Sequence, residues 1–110
     1  MRLLIMIAGP YSAPTAEGRA ANLAALNRAA MQVARKGHIP VIGVNAALPV
    51  LEAAGLPPND PLMMDISLAL AARCGGVLQL ARSPGADREV ETIRSLGRPV
   101  YARIEDVPPA

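Results

Sequence analysis

The stretch Arg2-Leu3-Leu4-Ile5-Met6-Ile7-Ala8-Gly9-Pro10 decides the fold. From Leu3 to Ala8 every side chain is apolar, with no alternation of polar and apolar positions, and Gly9-Pro10 stops the run. A strand with one face in water alternates, so an unbroken run of this length marks a strand covered on both faces, as in a parallel sheet. The run is too short to span a bilayer and lacks a signal-peptide cleavage pattern, so the expected location is cytoplasmic, with no membrane contact.

Outward from this strand, the chain alternates. Between Glu17 and Lys36, residues Leu23, Leu26, Ala30, Val33 and Ala34 recur at helical spacing, and Gly37 supplies a left-handed stop. Ile39 to Val44 reads as a second strand, and Asn45 to Pro58 as an Ala- and Pro-rich connection with one short helix. Asp60-Pro61 is a cap followed by a first-turn proline, which predicts a helix running to about Cys74 with a stripe of Leu62, Ile66, Ala69 and Leu70. Gly75-Gly76 then gives way to a strand over Val77 to Ala81. Ser83-Pro84 repeats the cap-and-proline signal for a helix closed by Gly97, and Arg98 to Ala102 is the last strand. Strands alternating with helices predict a single-domain, doubly wound (flavodoxin-like or Rossmann-like) α/β fold spanning residues 1–110. Its parallel sheet has four to five strands in order 2-1-3-4, with helices on both faces. In such sheets ligands bind beyond the carboxyl ends of the strands, beside strand one, where the order reverses. The segments to search are therefore 9–17, 45–65 and 82–89.

Composition narrows the function. The 110 residues are 52% hydrophobic and 18% charged, with a net charge of +2, two tyrosines and neither Phe nor Trp. Without a basic run or an aromatic platform, the chain is not built for nucleic acid. The single cysteine, Cys74, reads as a small buried apolar residue, and with one histidine, His38, there is no zinc cluster. His38 falls at the start of strand two, the end of the sheet opposite the expected site. The dinucleotide and P-loop glycine patterns are both absent, and Pro10 removes an N–H that could have held a phosphate.

Three pieces carry a resemblance: Ala8-Gly9-Pro10-Tyr11, the helix start Ser83-x-Gly85-Ala86-x-x-Glu89, and Leu96-Gly97-x-Pro99-Val100. Together, in this order and over nearly the whole chain, they resemble the nucleoside 2-deoxyribosyltransferase-like superfamily, most of all its small bacterial members. The resemblance implies a retaining N-glycosyl hydrolase or (deoxy)ribosyltransferase on a nucleoside or nucleoside 5′-monophosphate, working without a cofactor. It makes Glu89 the nucleophile. A carboxylate near a helix N-terminus is favoured in its ionised, attacking form, while Asp87 and Glu91, two residues to either side, face elsewhere. Asp65, among apolar neighbours, is the expected acid for the departing base. An alternative register, counted back from Cys74-Gly75, puts that position nearer Ser67. Tyr11 is expected to line the site with Gly9, Pro10 and Gly85, while Ser12, Arg19 and Ser83 could hold a 5′-phosphate. Met63, Met64 or Tyr11 would take the place of the usual aromatic ring against the base. The resemblance also implies a homodimer or homotetramer, and Ala24, Met31, Leu68, Ala71 and Ala72 add apolar surface in keeping with one. The alternatives are a non-catalytic nucleotide-binding or regulatory module and a structural component of a homo-oligomer.

Overall fold

The computed structural model describes all 110 residues. Its sheet has four parallel strands in the order expected, β2-β1-β3-β4: β1 (Leu4–Ala8), β2 (Ile39–Val41), β3 (Gly76–Gln79) and β4 (Val100–Tyr101). The helices are α1 (Ala16–Arg35), α2 (Gly43–Ala54), α3 (Pro61–Ala71) and α4 (Pro84–Ser95). A short 3-10 turn, Ile104–Asp106, follows β4. No helix is long and apolar enough to cross a membrane.

The central strand explains the two-sided core. Alternate residues of β1 point to opposite faces, so Ile5 and Ile7 meet Leu26, Ala29 and Val33 of α1 on one side. Met6 and Ala8 meet Ala71 of α3 and Ala86, Val90 and Ile93 of α4 on the other. A smaller cluster of Ala47, Leu51 and Met63 joins α2 to α3.

Four expectations are corrected. First, β2 ends at Val41, and the segment read as a connection is the twelve-residue α2. Pro49 sits inside this helix, where its ring removes the N–H that would have bonded the Asn45 carbonyl. Packing of Ala47 and Leu51 holds the helix together despite that loss. Second, α1 buries Ala29 and leaves Ala34 exposed. Third, α3 buries Met63, Ser67 and Ala71, one residue round from the expected stripe of Leu62, Ile66, Ala69 and Leu70. The helix is apolar on nearly every side, so periodicity could not orient it; a close approach to α2 does. Fourth, Ala71 is fully buried in the core and adds nothing to an outer surface.

His38 closes the lower end of the sheet, as expected away from the candidate site. It is 2% exposed; Leu3 N–H donates to its Nδ1 at 3.1 Å, and its Nε2 lies 2.6 Å from the Pro108 carbonyl. That pairing sets Nε2 as the protonated nitrogen and ties β1, β2 and the segment after β4 together. Lys36 Nζ adds bonds to the carbonyls of Ile104 and Val107. His38→Ala would take the partner from the part-buried Leu3 N–H and leave a cavity where the buried ring stood, and we expect it to lower stability by about 2 kcal/mol in urea denaturation. Ligand binding at the far end of the sheet should be unchanged.

Candidate active site

The carboxyl ends of β1 and β3 open into a cavity of about 340 Å³, within the usual range for a small-molecule site. All of its lining residues except Val44 and Ser67 come from the segments expected to contain the site. Gly9, Pro10, Tyr11 and Ser12 leave β1; Val44 is in the first turn of α2; Pro58, Met63, Met64 and Ser67 come from the α2–α3 turn and α3; Ser83 to Ala86 and Glu89 come from α4 and its cap. Gly9 packs closely on α1: a Cβ there would lie 3.1 Å from Leu26 Cδ2, so the Leu26 side chain would have to shift by a few tenths of an ångström to admit one. The loop after it is pinned by α1, whose Asn22 donates to the Tyr11 carbonyl at 2.9 Å and whose Arg19 donates to the Ala13 carbonyl at 3.1 Å.

Glu89 is 8% exposed, and burial pushes its carboxyl up to about 8. The expectation that a helix start keeps it ionised fails for a countable reason. Glu89 is the sixth residue of α4, beyond the reach of the dipole's first turn. Two of the three N–H groups of that turn are also engaged: Ala86 N–H donates to Ser83 Oγ at 3.1 Å, and Asp87 N–H to the Ser83 carbonyl at 2.8 Å. Pro84 has none to offer. Asp87 and Glu91 face away, as their spacing predicted: Asp87 pairs with Arg82 at 3.1 Å and Glu91 with Arg94 at 3.2 Å, both exposed. The hydrogen bond from Arg82 holds the Asp87 carboxyl below its usual range.

The start of α2 completes this part of the wall. Ile42 gives it no side-chain cap. Gly43, the first residue of the helix, lies against both Ser67 and Glu89: the position a Cβ would take overlaps Ser67 Oγ and is 3.1 Å from Glu89 Oε2. Three residues from three helices thus converge, and only a glycine fits at the meeting point.

No protein-family model matches the chain, and no curated protein matches it.

Of the nine residues singled out from sequence, Glu89, Tyr11, Gly9, Pro10, Ser12, Ser83 and Gly85 line the cavity together. Two do not. Asp65 is exposed on the outer side of α3, because the helix turns the Met63–Ser67–Ala71 face inward, and it does not line the cavity beside Glu89. Arg19 lines a separate groove beyond Tyr11 and Pro58, with Leu23, Leu48 and Glu52, and so serves the loop more directly than the cavity. Ser67, 2% exposed, stands where the alternative register put the acid. Val44 and the role of Gly43 were missed, since both depend on a helix that the composition of 45–58 concealed. Asp65→Asn should leave ligand binding and any turnover within about twofold of the parent, as for a solvated surface side chain. A loss of tenfold or more, measured by titration and rate, would return Asp65 to the site.

Proposed function

We propose that the chain is an N-glycosyl hydrolase or (deoxy)ribosyltransferase for nucleosides, with Glu89 as the nucleophile. The observation that carries this reading is the buried Glu89 carboxyl in the wall of a small-molecule cavity at the switch point of a parallel sheet. The resemblance of the Ala8–Tyr11, Ser83–Glu89 and Leu96–Val100 motifs to the nucleoside 2-deoxyribosyltransferase-like superfamily supports it.

In this reading the ionised Glu89 attacks the anomeric carbon, the base leaves, and water or a second base then takes the sugar from the ester. The apolar walls, Met63, Met64 and Val44, suit a planar base, with Met sulfur against its ring. Tyr11 and the hydroxyls of Ser12 and Ser83 suit the sugar. No Lys or Arg lines the cavity, which favours a nucleoside over its 5′-monophosphate.

The test is a panel of nucleosides and 5′-monophosphates, with and without a second free base, followed by chromatography for released or exchanged base. Release that disappears in Glu89→Gln supports the reading; tight binding with no release over long incubation defeats it. One observation favours that second outcome, a nucleotide-binding module without chemistry: the cavity holds no carboxyl besides Glu89. We propose further that the chain assembles as a homodimer or homotetramer with α3 in the interface; light scattering checks this, and a monomer mass at micromolar concentration would defeat it.

A further inference from the structure

A retaining mechanism on an ordinary nucleoside uses two acids, one to attack and one to protonate the leaving nitrogen. Among the fourteen residues lining this cavity, the groups that can ionise are Glu89 and Tyr11. Ser12, Ser67 and Ser83 are hydroxyls too weakly acidic to serve, and Glu89 cannot attack and donate in the same step. Ser67 lies so close to Gly43 that even a methyl group at position 43 collides with it, so no acid can be seated at position 43. No cation lines the walls, so a positively charged ligand meets a single carboxyl and no like charge.

From this arrangement we infer that the cavity is specific for cationic N-glycosides, those whose base carries a fixed positive charge and leaves without needing a proton. The inference rests on the glycosyl-transfer reading above and names its substrate class. The chemistry balances within the site. The C1′–N bond breaks with its electron pair passing to nitrogen, which neutralises the base, while Glu89 Oε forms the C1′–O bond. Water then attacks C1′, the ester bond breaks to restore the carboxylate, and the water proton passes to solvent. No acid is consumed at the leaving group. The substrate's charge also aids the attacking group, because a cation bound beside Glu89 offsets the cost of ionising a buried carboxyl.

A matched pair tests it: guanosine and N7-methylguanosine, which differ by one methyl group and a fixed charge, with a ribosylpyridinium as a second cationic probe. The full chain should cleave the cationic glycosides with kcat/KM more than about 100-fold above guanosine, the lower bound of what a positioned acid would otherwise supply. This preference should be at least as large as the ratio of the uncatalysed rates, and kcat/KM for the ribosylpyridinium, whose charge does not titrate, should rise with pH as Glu89 of the free protein ionises, levelling above about 8. Glu89→Gln should abolish cleavage of both cations. Comparable kcat/KM on guanosine and its methylated partner would overturn the inference while leaving glycosyl transfer standing. If that activity vanished in Tyr11→Phe, the phenol would be identified as the acid. Cleavage of neither class would overturn the inference and the reading beneath it together.

Discussion

Glu89→Gln is expected to do two opposite things: remove turnover by on the order of 10³-fold or more, and make the folded chain more stable above neutral pH. The first follows from replacing an attacking oxygen with an amide. The second follows from burial. The carboxyl ionises at about 8 in the folded chain against an ordinary value of 4.5. Between those values the unfolded chain gives up a proton that the folded chain keeps, so stability falls as pH rises, by as much as ~1.4 kcal/mol per pH unit. The contribution is intact below about 4.5 and lost above about 8. Glutamine carries no such penalty. Melting temperatures of parent and Glu89→Gln should coincide near pH 4.5 and separate by several degrees at pH 8.5, the variant higher. A variant less stable than the parent at pH 8.5 would show that the carboxylate is stabilised in the fold, contrary to its desolvated setting.

The second large effect is expected at Gly43. Its backbone adopts an ordinary conformation, so the glycine is there for space and not for a special turn. Gly43→Val would place a branched side chain into Ser67 and against Glu89, forcing α2 away from α3. The cost should lie at or above the upper end of the roughly 1–3 kcal/mol typical of overpacking. Gly43→Ala should show the same effect in smaller form. Ser67→Ala removes the colliding oxygen but leaves Ser67 Cβ at 2.7 Å from the new group, so it should rescue Gly43→Ala in part. A double-mutant cycle in urea should give a favourable coupling of about 1 kcal/mol. Strict additivity would mean that the two positions do not share the strain.

Much of the fold was legible because its signals are local. An unbroken apolar strand, two cap-and-proline pairs at Asp60-Pro61 and Ser83-Pro84, and glycines at 37 and 97 each fix one element on their own. The facing of Glu89 away from Asp87 and Glu91 was legible too, since it needs only the pitch of one helix. What escaped depends on pairs of elements. The helix over 43–54 contains a proline and few polar residues, so neither its length nor its start could be read without the partner it packs on. The facing of α3 was hidden because Leu62, Met63, Met64, Ile66, Leu68 and Leu70 offer apolar surface in every direction. Gly43 against Ser67, a contact between residues far apart in the chain, chose the face. That choice put Ser67 in the cavity and Asp65 outside it.

The order of the strands also constrains how the chain can be made. The central strand precedes one of its two partners by most of the chain: Ile5 must wait for Gly76. At the roughly 5–20 residues per second of protein synthesis, its pairing edge stays open for several seconds. During that interval the most continuously apolar strand is an unprotected template for another chain's backbone. Pairing with β2, where Leu4 meets Ile39, covers one edge early; the other closes only when β3 has emerged.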